Sequence, residues 1–286
     1  MTSVTNRVDA AIVAVDPCHL VARLALVVVL INTHANPLLL VIAAVACGLM
    51  FLNERLLDDP RPWLGLAAVL GVAQFSEWWL LDDHLVATTY LVAAIGLSRL
   101  AQDPSRTLQL SARLIVGAIF AFAFAWKLLS SQYMELDFFR YTLLRDDRFT
   151  PAAVIVGGAE EPVLERQRYE VAEFLIDGDV GDHLVVREGP RTEQLARLFS
   201  WWGLAIEATI AVAFLAPFRG RARLLRPVSL LTFAATTYLV VPVIGFGLLL
   251  MTLGITQVDG THWRRAFVYG SVAMFFWSVI MSTVVL

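Results

Sequence analysis

Of the 22 basic residues in this chain of 286, 21 are arginines and one is a lysine. That lysine, Lys127, follows the run Phe120-Ala121-Phe122-Ala123-Phe124-Ala125-Trp126 and precedes Leu128, so it lies inside an apolar helix. An ionisable group within an apolar span is costly and by default marks a functional site. Desolvation can drive a lysine amine neutral, leaving a base or nucleophile, whereas a guanidinium stays protonated. The competing reading is that Lys127, about three residues or roughly 5 Å from the outer end of its helix, snorkels to an interface or pairs with a carboxylate. Three further groups fall on the same side. Glu77 lies about one turn inside the end of its span, His84 opens the next span after Asp82-Asp83, and Glu207 sits deeper, near the middle of the sixth apolar run. A Glu at that depth faces protein, protonated or paired. His84 reads either as a helix-end residue bonded to its turn or as a catalytic imidazole.

Trp126, Trp78 and Trp202 stand beside these groups and suit the wall of an apolar pocket. Trp78, Trp79, Trp201 and Trp202 equally suit an interfacial aromatic belt. No cluster has trustworthy metal-ligand spacing: Asp177, Asp179 and Asp182, with Gly178 and Gly181, follow a calcium-loop pattern only in part and lack its bidentate Glu. There is no CxxC, HExxH, GxGxxG or Walker-type loop, and Cys18 and Cys47 are placed unfavourably for a bridge. A net charge of −3 without a basic patch interleaved with aromatics argues against a nucleic-acid partner.

The elements that must position these residues follow from hydropathy. Hydrophobic residues make up 58% and charged residues 16% of the chain, with a mean hydropathy of +0.68. A soluble domain of this length carries about 25% charged residues, so lipid is the natural solvent for the excess. Runs long enough to span a bilayer occur at about 18–33, 37–53, 62–81, 84–100, 111–130, 199–216, 228–254 and 266–286. The expected fold is therefore all-α, a polytopic transmembrane helical bundle of about eight spans with one extramembrane loop region. The run 228–254 contains Pro242 and reads either as one kinked helix or as a span plus a re-entrant piece. No cleavable signal is evident, so the first span is expected to be retained.

Four arginines between Arg219 and Arg226, with no acid among them, place that loop in the cytoplasm by the positive-inside tendency. Counting back puts 101–110, 54–61 and the N-terminus on the same side, and an even count puts both termini there. His34, the Asp82-Asp83-His84 turn and the segment 131–198 then face outward, external or periplasmic to a cell (inner) membrane. The division expected is an N-terminal bundle over 1–130, an acidic external lid over 131–198 and a C-terminal bundle over 199–286. The lid carries eight arginines against fourteen acids. It is expected to hold a helix near Glu160–Leu175, a turn at Asp177-Gly178-Asp179 and a β-rich stretch at His183–Arg187.

Four stretches of this sequence are similar to the horizontally transferred transmembrane (HTTM) family, which includes the vitamin K-dependent γ-glutamyl carboxylase. They are Asp16-Pro17 followed by Leu20 and Arg23-Leu24; Asp82-Asp83-His84-Leu85 running into Tyr90-Leu91; Phe120 to Leu128 ending in Lys-Leu; and Glu207 after Trp201-Trp202-Gly203. The likeness covers roughly residues 14–255. It implies that Lys127 is the base that deprotonates a reduced quinone (vitamin K-like) and that His84 assists. Phe124 stands where the family has a glycine, and Gln132 and Tyr133 lie where a tryptophan is expected. A counterpart of the carboxylase's large extramembrane region is not expected, and the resemblance then implies a quinol-linked reaction on a small substrate, a lyase- or oxidoreductase-type activity. Lys127 would be the general base, with His84 orienting or stabilising an oxyanion and Glu207 or Glu77 setting the field around the amine. The alternative is a non-catalytic accessory subunit that docks a protein partner through 131–198; a transporter built around Pro242, Gly245 and Gly247 comes third.

Overall fold

In the computed structural model, residues 14–76, 83–177, 188–241 and 243–284 are described. Glu77, Trp78, Trp79, Asp82, the glycines and later aspartates of the 177–182 turn, His183–Arg187 and Pro242 lie outside them. Among the described residues every regular element is helical.

Proline and a short polar side chain set the helix starts. Asp16-Pro17, Asn36-Pro37, Asp59-Pro60 and Asp103-Pro104 open α1 (Pro17–Asn32), α2 (Pro37–Leu52), α4 (Pro60–Ser76) and α6 (Pro104–Leu129). Proline at the first helical position loses no hydrogen bond, and the preceding carboxylate or amide accepts from orphan backbone N–H groups. Asp16 accepts from the N–H groups of Cys18 and His19, Asn36 from that of Leu39, and Asp103 from that of Arg106. Between these helices lie the short α3 (Glu54–Asp58) and α5 (Asp83–Arg99). After α6 come α7 (Ser131–Met134), α8 (Asp137–Arg145), a π-helical turn at Ala152–Val156 and α9 (Glu161–Asp177). The chain then returns through α10 (Thr192–Leu215), α11 (Leu225–Thr237), α12 (Ile244–Ile255) and α13 (Thr261–Val284).

One hydrophobic core joins residues from before and after the 131–198 segment, with Leu26, Leu91, Phe120, Phe214 and Leu249 all buried in it. A second, smaller cluster of Leu143, Phe149, Ala153 and Leu164 closes on Leu195, Ala196 and Val241. It seats α8, the π-helical turn and α9 as a cap on one end of the bundle.

Two helices, Pro104–Leu129 and Thr192–Leu215, are long and apolar enough to cross a membrane. Shorter apolar helices accompany them at Pro17–Asn32, Pro37–Leu52 and Ile244–Ile255. Several helices are apolar on their outer faces too. On α2, Leu38, Val41, Val45, Leu49 and Leu52 form an exposed stripe at helical spacing, and Leu52, Phe75 and Leu129 are each more than 80% exposed. Helices that are apolar all round are not those of an ordinary water-facing surface.

The run 228–254 is neither one kinked helix nor a full span with a small appendage. It folds back on itself. α11 leaves the end of the bundle where Arg226 donates from Nε to the carbonyl of Ala213 (3.0 Å), and α12 starts at the opposite end, where Gly245 packs on Asn32. α12 then returns, and Gln257 donates from Nε2 to the carbonyl of Gln109 (2.9 Å). Arg264 bonds the carbonyl of Val15 (3.2 Å), so α13 starts beside the beginning of α1 and runs antiparallel to α12. Whether 228–254 runs through the bundle once is open in the sequence; here it runs up and back, and Val284 lies at the end of the bundle opposite Pro17. The physical cause is length. At about 1.5 Å per residue, α11 and α12 are each only about 20 Å long, and the six residues 238–243 between them reverse the chain.

Candidate functional site

α6 and α10 pack antiparallel along their lengths, and small residues set how closely. A Cβ on Gly117 would fall 2.6 Å from a Leu215 methyl, and one on Gly203 would fall 2.7 Å from the Tyr133 hydroxyl. This close approach brings Lys127, two residues before the end of α6, against Glu207. The Lys127 ammonium donates to Glu207 Oε1 as an ion pair. The Lys127 side chain is 25% exposed and that of Glu207 9%. Glu207 is the more buried of the two, and the long lysine side chain reaches it.

The turn after α6 adds a third group. Ser130 closes α6, and its Oγ accepts from the Tyr133 N–H (3.3 Å), which starts α7 at once. Tyr133 is thereby folded back over the ion pair: its ring centroid lies 5.3 Å from Lys127 Nζ, and its hydroxyl donates to the Ser200 carbonyl (3.2 Å). Burial, and secondarily the charge of Glu207, raise the Tyr133 hydroxyl well above its ordinary value, so it stays a proton donor. Two oxygens on the same face of α10 are left over. Glu207 Oε2 and Ser200 Oγ are buried and have no hydrogen-bond partner among the described residues. Buried polar atoms without partners are uncommon and call for an explanation.

The other expected site residues are placed elsewhere or outside the described residues. The ring of His84, in the first turn of α5, packs on Phe246 (centroids 5.0 Å apart). Phe246 in turn neighbours Phe120, which meets Phe233, and Phe233 meets Tyr238. His84 thus belongs to an aromatic run two helical turns below Lys127 on α6. Trp126 is 76% exposed; Trp202 is partly exposed and donates to Thr236 Oγ1 (3.1 Å), tying α10 to α11. Neither ring encloses the amine in this arrangement. Glu77 and Trp78 are among the residues outside the description.

Sequence reasoning put Glu207 or Glu77 near the Lys127 amine without choosing between them, and it treated Tyr133 only as a departure from a family pattern. Ser200 and Gly203 carried no signal beyond lying at i−7 and i−4 from Glu207, on one helical face. No family model, curated protein or solved structure matches the chain. The site's chemistry therefore rests on its own geometry: an amine, a carboxylate with one buried oxygen unpartnered, a phenol and an unpartnered buried hydroxyl, where α6 and α10 meet.

Proposed function

We propose that this chain is a polytopic protein of a cell (inner) membrane, of HTTM or vitamin K-dependent carboxylase-like type, with a proton-handling site on its outer side. Support for the membrane reading comes from the exposed apolar stripes and from the way basic residues divide. Arg23, Arg55, Arg61, Arg99, Arg106, Arg113, Arg219, Arg221, Arg223, Arg226, Arg264 and Arg265 gather at the end of the bundle away from the cap. The positive-inside tendency puts that end in the cytoplasm and the cap outside.

The reaction we propose is quinol-linked, and the observation that carries it is the Lys127–Glu207 pair with a buried, unpartnered Oε2 beside it. A reduced quinone fits the oxygens present: its hydroxyls would satisfy Glu207 Oε2 and Ser200 Oγ, and bound there it would supply an acidic O–H and redox chemistry. The Lys127 ammonium first passes a proton to Glu207, leaving a neutral amine beside a carboxylic acid; Nζ then takes the quinol proton, and Tyr133 covers the pair and restricts water. The proton step rests on Lys127 and Glu207; His84 serves as part of the aromatic wall.

A second reading is favoured by the same contact. An ion pair between α6 and α10 is also a clamp, as an accessory subunit would need. Lys127→Arg separates the two, because it keeps the charge but not the transferable amine proton. Protein purified in mild detergent is expected to carry about one extractable quinone per chain by mass spectrometry, and Lys127→Arg to remain folded while oxidation of added quinol by dioxygen, the electron acceptor in the assay, falls at least 100-fold, the usual scale of a lost acid–base group. A quinone-free wild-type sample, or Lys127→Arg at full activity, would leave only the clamp.

A further inference from the structure

Arg226, in the first turn of α11, is 7% exposed. Its Nε is used by the Ala213 carbonyl at the C-terminal end of α10, which favours a cation there. The charged groups that act on it are both positive, Arg113 of α6 and the exposed Arg223. No carboxylate pairs with Arg113, Arg223 or Arg226 among the described residues, and Arg113 Nε is buried without a partner. Two arginines of this end do have carboxylate partners, Arg23 on Glu54 (3.0 Å) and Arg99 on Asp58 (3.3 Å), and what marks Arg226 is its burial. The buried part of this charge lies where α6, α10 and α11 meet.

The helix end offsets part of one charge. Two neighbouring guanidinium groups, one nine-tenths buried, with a third at the rim, remain uncompensated, and buried like charges are costly unless an anion completes them. Arginine forks match phosphate oxygens two at a time. Basic pockets between helices on the cytoplasmic side are where anionic headgroups bind. We propose that Arg113, Arg223 and Arg226 form a binding site for the phosphate of an anionic phospholipid of the cytoplasmic leaflet, wedged between α6 and α11. The inference rests on the membrane reading above and is independent of the quinol chemistry at the other end of the bundle.

The test uses the full chain in nanodiscs of phosphatidylcholine with or without phosphatidylglycerol, and inorganic phosphate added to the phosphatidylcholine discs. Lipid retained on the protein is counted by native mass spectrometry, and Tm is followed in parallel. Arg226→Gln risks misfolding, so the diagnostic variant is Arg113→Gln with Arg223→Gln, at less buried positions. Wild type is expected to retain phosphatidylglycerol over phosphatidylcholine and gain Tm from it, with retention falling about five-fold per arginine removed. Equal retention of the two lipids overturns the proposal, as does an unchanged preference in the double variant. A Tm gain from inorganic phosphate equal to that from phosphatidylglycerol would assign the site to a soluble anion instead. Protein that stays monodisperse without detergent or lipid would overturn the membrane reading itself, a result separable from any lipid preference.

Discussion

At the level of single residues, the chain's one lysine was conspicuous by type, while its partner could not be read from spacing because the two lie 80 residues apart. Gly203 is the sharper probe of the site, since it touches the Tyr133 hydroxyl without being a titrating group. Gly203→Ala is expected to push the hydroxyl off the Ser200 carbonyl and cost about 1 kcal/mol for the lost hydrogen bond. The measurement is a Tm decrease accompanied by faster exchange of water to the pair, and an unchanged variant would mean that Tyr133 does not cover it. A second residue-scale expectation concerns the cap. Burial pushes the Asp146 carboxyl up, but the hydrogen bonds and charge of Arg148 outweigh it and hold the group below its ordinary value of 3.8. A carboxyl held low binds fewer protons folded than unfolded, so its contribution is complete above that ordinary value and lost as pH falls through the lowered one. Amide protection at Arg148 and Phe149 should therefore weaken only below about pH 4, and Asp146→Asn should abolish that dependence.

At the level of elements, most helix positions were legible because apolar runs bounded by Asx-Pro pairs leave little choice of start. The expected runs at 18–33, 37–53 and 84–100 correspond to α1, α2 and α5 within a residue or so. The ends of α6 and α10 were less legible. Both extend well beyond their apolar stretch, α6 back to Pro104 and α10 back to Thr192, since polar residues can continue a helix that packs on a neighbour. The α12–α13 contact supplies the element-scale prediction. A Cβ on Gly254 would meet the fully buried Phe267 ring at 2.3 Å, whereas one on Gly71 meets nothing within 4 Å. Gly254→Ala is expected to destabilise by about 1–3 kcal/mol, and Gly71→Ala to be neutral or stabilising by up to about 1 kcal/mol. Thermal unfolding of both in the same lipid or detergent checks the contrast.

At the level of the whole molecule, the hairpin of α11 and α12 decides where the last helix runs. With Cys18 and Cys47 replaced, cysteines at Gly220 and Asp259 are expected to react with an impermeant thiol reagent from one side of the membrane only. A cysteine at Ser131 should react from the other. Labelling of Asp259→Cys together with Ser131→Cys would restore a single crossing over 228–254 and defeat the fold-back arrangement. The same arrangement collects the arginines at one end and the Lys127–Glu207 pair towards the other, which no individual loop count required.

The sequence alone determined the all-helical character and the lipid-like apolar excess, because composition and hydropathy act on every residue locally. It also singled out Lys127, since a lone lysine in an apolar helix is anomalous whatever surrounds it. Only the tertiary structure decided that Lys127 meets Glu207 under Tyr133, that His84 packs on Phe246, and that the buried Arg226 and its neighbour Arg113 have no carboxylate partner among the described residues. Those facts depend on the stagger of α6 against α10 and on the reversal at 238–243. Both are set by packing between helices far apart in the chain, where glycine gaps and helix lengths count for more than local pattern.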